Sequence, residues 1–246
     1  MIDVTDLSFA YDGHGVLADV SFAVDRGERL AIVGANGAGK TTLLRLLAGL
    51  LEADSGSVRV AGSVGFAPED PQSGLFAATV RDEVAFFPRN RGLAIDPAVR
   101  NALEVMELTV LADRNPFTLS VGEQRRVSIA SVLSGDPDVL VLDEPTTGLD
   151  RRGSRDLAGL LDDIDHTIVF STHDTDFAHA IADRVAIVAG AGIRQLGPAG
   201  EVLGGEGVLL ENGIRPPGLV EFARQENLDR VPTDVDAAIA MLRERQ

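Results

Sequence analysis

The sequence predicts an α/β protein: a mixed, mostly parallel sheet flanked by helices, with an antiparallel β subdomain, an inserted helical subdomain and a short C-terminal extension. Three observations predict it. Short runs of β-branched and aliphatic residues at 29–33, 138–142 and 167–171 have the continuous apolar character of buried strands. Leu- and Ala-rich stretches of high helix propensity follow the first of them. The alternation is interrupted over 79–134 by a block that reads mainly as helices.

Residues 1–10 and 16–24 alternate in polarity (Val4, Leu7, Phe9; Leu17, Val20, Phe22, Val24), which predicts two antiparallel strands joined by a turn over 11–15. Tyr11, the only tyrosine, falls in that turn, where its ring can stack on a base or pack on the sheet. The strand at 29–33 leads into Gly34, Ala35, Asn36, Gly37, Ala38 and Gly39, then Lys40, Thr41 and Thr42, and then a helix. The spacing Gly34-x-x-x-x-Gly39-Lys40-Thr41 between a strand and a helix is a phosphate-cradling loop, the mark of a P-loop NTPase core. Its glycines let the backbone wrap closely around a polyphosphate with N–H groups pointing inward. The helix N-terminus adds partial positive charge at the same spot. Lys40 can reach the β- and γ-phosphates, and the Thr41 hydroxyl can bind Mg²⁺. Lys40 is the only lysine in the chain; every other strongly basic side chain is arginine.

After that helix, a turn at 54–57 precedes short strands at 58–60 and 64–67 and a polar, proline-containing loop at 67–74. Helices are predicted over 79–87, 97–108 and 121–133, in a helical subdomain bounded near 72 and 135. Ser120 is placed to cap the last of them, with Glu123 at its third position. The run 138–142 (DVLVL) ends in Asp143-Glu144, at the C-terminal sheet edge where open parallel sheets bind ligands. Asp143 suits a magnesium-bound water and Glu144 a general base that polarises the attacking water. A solvated acidic turn is the bland alternative; the phosphate loop weighs against it, because hydrolysis needs both groups.

A helix follows at about 151–164. The strand at 167–171 ends at Thr172-His173-Asp174, which brings His173 to the same sheet edge. His14, His166 and His179 have no comparable placement and are read as surface or packing residues. Residues 185–188 and 193–196 predict a hairpin around Gly190-Ala191-Gly192, and 198–204 a short helix. Glycine and proline punctuate 205–218, before helices at 219–226 and 233–245. Residues 1–204 therefore read as one domain and 205–246 as an extension outside the catalytic core.

Composition limits the classes of function. With 246 residues, 45% hydrophobic and 24% charged, the chain can bury a sizeable core. A net charge of −16 and a pI of about 4.5 argue against a broad basic face for nucleic acid. Cysteine is absent, which excludes a disulfide framework and thiolate metal sites. The start, MIDVTDLSFAYDG, lacks the basic and apolar regions of a signal peptide, and no run of 18 apolar residues could span a bilayer. The expectation is a cytoplasmic protein that meets a membrane only through a partner. The acid excess with a single lysine fits a salt-accumulating halophile, because at molar salt the Debye length falls to about 3 Å and surface carboxylates repel one another little. An arginine-rich proteome is the alternative.

Taken in order, these stations resemble the ATPase subunits of ATP-binding cassette (ABC) transporters across nearly all of the first 200 residues. GANGAGKT resembles the Walker A loop, VLVLDE Walker B, LSVGEQRR the signature motif, TGLD the D-loop and STHD the switch-histidine segment. The resemblance implies ATP and Mg²⁺ as cofactors and a head-to-tail pair of ATPase subunits, a homodimer or a heterodimer with a paralogue. Ser120 and Gly122 would then meet the γ-phosphate held by the partner's Lys40. Asp150 would lie at the dimer interface, His173 would contact the γ-phosphate, and Tyr11 would stack on adenine.

The segments 64–86 (VGFAPEDPQSGLFAATVRDEVAF) and 212–225 (NGIRPPGLVEFARQ) are similar to those of energy-coupling factor (ECF) importers and cobalt or biotin uptake ATPases. That implies a transmembrane coupling protein, docked near residues 72–84, and a solute-specific membrane subunit. The alternative is a soluble ABC ATPase of an assembly or regulatory system, such as iron–sulfur cluster assembly. Two residues depart from the family pattern. Glu69 stands at the glutamine of the Q-loop, where its carboxylate can still bind Mg²⁺, and Val121 replaces the first signature glycine. Both bear on hydrolysis rate more than on nucleotide binding.

Overall fold

The computed structural model describes residues 1–228, 231–232 and 235–243. The chain begins with strands β1 (Ile2–Tyr11), β2 (His14–Val24) and β3 (Arg29–Val33), then helix α1 (Lys40–Leu47), β4 (Ser55–Val60) and β5 (Val64–Ala67). Helices α2 (Val80–Val84), α3 (Phe86–Arg91), α4 (Ile95–Val105) and α5 (Val121–Leu133) follow. Strand β6 (Val139–Leu142), helix α6 (Arg151–Asp162), β7 (Thr167–Thr172), helix α7 (Thr175–Ile181), β8 (Arg184–Ala189) and β9 (Gly192–Pro198) complete the sheets. Helices α8 (Ala199–Gly204), α9 (Glu206–Glu211), α10 (Gly218–Gln225) and α11 (Val235–Arg243) end the described chain.

Two sheets result. β2-β1-β4 is antiparallel throughout. The larger sheet has the order β5-β6-β7-β3-β8-β9, parallel except for the edge hairpin of β8 and β9. The mixed sheet, the antiparallel β subdomain and the inserted helical region all follow the predicted fold class. The period of two in the central strands explains the layering. Leu30 and Ile32 of β3 pack with α1 and the three-stranded sheet, while Ala31 and Val33 face the helices on the other side. Both faces are covered, so the strand reads as an unbroken apolar run.

Several boundaries differ from expectation. The hairpin turn is only Asp12-Gly13, so Tyr11 ends β1 instead of sitting in the turn. β4 begins at Ser55, inside the predicted turn, because Ser55 and Ser57 pair with Ser8 and Thr5 of β1 and pairing outweighs their turn preference. The helix expected over 79–87 is two helices. Pro88 has no N–H to donate to Val84 O, so α2 cannot continue through it. The Ser134 hydroxyl donates to Val84 O at 2.7 Å and the Ser131 hydroxyl to Glu83 O at 3.1 Å, satisfying the carbonyls that the break exposes. α4 starts at Ile95 with Pro97 in its first turn, where a proline is tolerated.

Helix α9 lies within the Gly/Pro-punctuated stretch and was not expected. Residues 233, 234, 244 and 245 of the last predicted helix fall outside the described residues. Residues 209–218 also lie against the core: Leu209 and Ile214 are buried in the helix-side cluster. Thr175 Oγ1 donates to Arg215 O at 2.9 Å, and Gly218 N donates to Asp176 Oδ1 at 2.7 Å.

Candidate functional site

β3, β6 and β7 run parallel, so their C-terminal ends deliver the phosphate loop, Asp143-Glu144 and His173 to one edge. The loop is shaped by its glycines. Gly37 has φ 80° and Gly39 φ 101°, a region that L side chains rarely adopt. A Cβ on Gly34 would lie 2.5 Å from Val188 O, so the loop passes too close to β8 for any side chain. Gly39 caps α1, no side chain accepts a hydrogen bond at that cap, and no acid occupies the first turn. The first-turn amides therefore face the loop's mouth as donors for an anion. Ala35, Asn36 and Gly37 are exposed, Ala38 is half-buried, and Thr42 is buried in the first turn.

Lys40 is 6% exposed. Its ammonium donates to Gly34 O at 3.0 Å and to Ala35 O at 3.3 Å, and lies 3.1 Å from Glu144 Oε1. Glu144 is itself buried. Its Oε2 lies 2.8 Å from His173 Nδ1 and accepts from His173 N at 3.2 Å. Glu144 has φ 45°, in the left-handed region that costs an ordinary residue about 1–2 kcal/mol. A second chain of contacts runs alongside. The Thr41 hydroxyl donates to Asp143 Oδ1 at 3.0 Å, and the Ser171 hydroxyl donates to the same oxygen at 2.7 Å. Ser171 Oγ accepts from Glu144 N at 2.9 Å, so one hydroxyl ties the Asp143 carboxylate to the Glu144 backbone.

Five predicted residues, Lys40, Thr41, Asp143, Glu144 and His173, thus form one contiguous group. A polyphosphate with a divalent cation fits it. The loop supplies amides and an ammonium, and the hydroxyl and carboxylate of Thr41 and Asp143 are the hard oxygen donors that Mg²⁺ prefers. The remaining predicted residues lie further out along the chain. Tyr11 is 41% exposed, with its ring edge-on to Phe9 at 4.8 Å, so it both packs on the sheet and keeps an open face. Ser120 caps α5 in a capping box with Glu123, whose carboxyl is held below the usual carboxylate range by hydrogen bonds from the Ser120 hydroxyl and N–H. Gly122 packs against Leu149, and a Cβ on Gly148 would lie 3.0 Å from Val121 Cγ1. The start of α5 is therefore seated on the 146–150 turn. Asp150 caps α6 through Gly153 N at 2.7 Å.

Glu69 is exposed, and its carbonyl accepts from Arg125 Nη2. Of the other histidines, His14 is exposed, His166 lies 3.9 Å from Asp136, and both ring nitrogens of His179 are shielded.

Two residues escaped the sequence reading. Ser171 passed as the end of an apolar strand; a hydroxyl at the C-terminal end of TIVFS, on the sheet edge that also carries Asp143, was the available signal. Arg125 entered only as part of the LSVGEQRR segment. It is 2% exposed, and burial pushes its guanidinium below the ordinary arginine range, opposed by the charges of Glu69, Asp70, Asp143 and Glu144.

Comparison with known proteins agrees with this geometry. The family profile described as "ABC transporter" matches residues 17–147. The chain is 37% identical to energy-coupling factor transporter ATP-binding protein EcfA2 of Methanospirillum hungatei, over 92% of this chain and 62% of that longer protein. It is 42% identical to the cobalt import ATP-binding protein CbiO of Rhodobacter capsulatus, over 88% of this chain and 85% of that one. Among solved structures it resembles cbiO1 from Clostridium perfringens, part of the ABC transporter complex cbiONQ. There the TM-score is 0.78 and the identity 31%, over 91% of this chain and 98% of that one.

Proposed function

The chain belongs to the ABC transporter family of ATP-binding subunits, and from that premise we propose that it hydrolyses ATP to drive an importer of the ECF type for a vitamin or metal ion. The observation that carries the proposal is that similarity to importer ATPases extends over 88–92% of the chain, well past the phosphate loop and the paired acids. In this reading residues 1–204 are the ATPase domain, with a helical subdomain over about 72–135, and 205–246 are an extension. The working unit pairs two ATPase subunits on a transmembrane coupling protein, which holds the solute-specific subunit. No described helix is long and apolar enough to cross a membrane; in this reading the chain works at the cytoplasmic face, held there by that partner.

Each residue then has a task. The loop amides of residues 34–39 and the Lys40 ammonium bind the β- and γ-phosphates, and Tyr11 stacks on the base. Thr41 and Asp143 hold Mg²⁺, with Glu69 as a further oxygen donor. When bound, the ion neutralises charge developing on the transferred phosphoryl group. Glu144 accepts the proton of the attacking water, and His173 holds the carboxylate in place before touching the γ-phosphate. Ser120 and Gly122 reach the nucleotide of the partner subunit, and closure of the pair moves the membrane helices docked near residues 72–84.

The test is a pull-down of the tagged chain from solubilised membranes, beside ATP binding by the parental protein and Lys40→Ala. Co-purification of an integral membrane protein and loss of ATP binding in Lys40→Ala are expected. Recovery of soluble partners alone overturns the importer reading and favours an assembly ATPase. Unchanged ATP affinity in Lys40→Ala removes Lys40 from the site.

A further inference from the structure

Arg125 is the largest side chain in the fully buried core, and it sits on the helix that Ser120 caps. No carboxylate ion pair is recorded for it among the described residues. Its two terminal nitrogens instead donate to consecutive main-chain carbonyls: Nη1 to Pro68 O at 2.7 Å and Nη2 to Glu69 O. Its Nε is buried without a partner. A guanidinium taken out of water and set on neutral carbonyls is a poor source of stability, because a better-packed apolar chain would avoid the desolvation cost. Its planar fork, however, fixes the direction of two adjacent carbonyls at once, which no single-point donor can do.

The same strip of backbone is gripped from the other side. Asp143 N donates to Ala67 O at 2.9 Å. Residues 67–69 are therefore held between the strand end that carries Asp143 and Glu144 and the helix that carries Ser120. A second tie lies one residue away on α5, where Gln124 Oε1 accepts from Gln72 Nε2 at 3.1 Å.

We propose that Arg125 is a positioning residue for the ATPase reaction, its fork registering the Glu69 loop against the Asp143–Glu144 strand end so that loop and signature helix move as one body. The catalytic meaning rests on the function proposed above; the registration of the loop does not. Its charge also adds a positive field near the carboxylates of Glu69, Asp70, Asp143 and Glu144, a secondary effect that Arg125→Lys retains.

The experiment compares the parental protein with Arg125→Met, which keeps bulk but not donors, and Arg125→Lys, which keeps charge but not the fork. Three quantities are read: amide hydrogen exchange without nucleotide, ATP affinity in EDTA, and kcat against KM for Mg-ATP. Exchange at residues 69–74 should rise about tenfold in both variants, with residues 41–47 of α1 unchanged. Because small misplacements of a reacting group cost up to about 10²-fold in rate, kcat should fall by about that factor while ATP affinity in EDTA stays within about threefold.

Unchanged loop exchange in both variants overturns the registration. So does full rescue of kcat by Arg125→Lys, which would assign the effect to charge alone. If Arg125→Met does not fold, Arg125→Lys decides by the same criteria. Absence of Mg-ATP hydrolysis in the parental protein would instead overturn the proposed function, with the exchange result still deciding whether Arg125 registers the loop.

Discussion

Glu144→Gln probes the two roles of this residue separately. Glu144 is the counter-charge of a lysine that is 6% exposed, at 3.1 Å. Removing one partner of a buried ion pair costs about 3–5 kcal/mol. Glutamine keeps the shape and one acceptor oxygen for Lys40 or His173 N, so the lower end applies, about 3 kcal/mol. For a chain of this size each kcal/mol moves the melting temperature by about 2–4 °C, so the nucleotide-free variant should melt about 6–12 °C below the parent. ATP should close that gap, because phosphate oxygens replace the lost carboxylate as partners of Lys40. By linkage the variant should bind ATP more tightly than the parent, which must first break the Lys40–Glu144 pair.

Hydrolysis should move the other way. General-base catalysis is worth about 10²–10⁴-fold, so turnover should fall by at least ~10² and an ATP-bound dimer should accumulate. Differential scanning fluorimetry with and without ATP and EDTA, gel filtration and phosphate release give the readouts. A variant that melts at the parental temperature without nucleotide refutes the ion-pair argument. One that hydrolyses ATP at the parental rate removes Glu144 as the base, whatever its stability.

Gly34→Ala places a Cβ 2.5 Å from Val188 O, a backbone atom that cannot swing aside; overpacking of this kind costs about 1–3 kcal/mol, so melting should drop by about 2–12 °C and ATP affinity should fall with it. Glu123 is held below the usual carboxylate range by the hydrogen bonds of its capping box, so the cap contributes stability above the ordinary glutamate value and loses it as pH falls through the lowered one. Amide protection in the first turn of α5 should fall over that acidic window, and Glu123→Gln should flatten the profile. With a net charge of −16, the melting temperature should climb across a KCl series as the Debye length shrinks toward about 3 Å; a flat curve would count against adaptation to a salt-rich interior.

Much of this architecture was legible because local and long-range preferences agree. Residues 29–33, 64–67 and 121–133 were each predicted with the bounds that the structure gives. The first is covered and bounded by Glu28 and Gly34, the second is short and bounded by Ser63 and Pro68, and the third starts at a capping box. Legibility failed where a distant partner decides. Pro88 could be seen to endanger a helix over 79–87, but the hydroxyl of Ser134 that accommodates the break comes from 50 residues further along the chain. Ser55 and Ser57 carry turn residues' preferences into a strand because β1 lies beside them. The site divides in the same way. Spacing revealed the phosphate loop, and chain order revealed two strand ends with acids and a histidine. That Ser171 links the Asp143 carboxylate to the Glu144 backbone, and that Arg125 is buried under residues 68–69, are facts of register and packing that no local window carries.

The single lysine sits where the geometry of the site itself suits an ammonium. An ammonium has three donors, and Lys40 places three acceptors around them: Gly34 O at 3.0 Å, Ala35 O at 3.3 Å and Glu144 Oε1 at 3.1 Å. A guanidinium offers five donors in a rigid plane, two more than the three acceptors placed here. At exposed positions of this chain arginine can stand for lysine at little cost, since a solvated charge does not depend on its shape. At Lys40 the charge is dry, compact and shared between two carbonyls and a carboxylate that an incoming polyphosphate must displace. The match of three donors to three acceptors is a property of the loop itself, independent of any resemblance to other proteins.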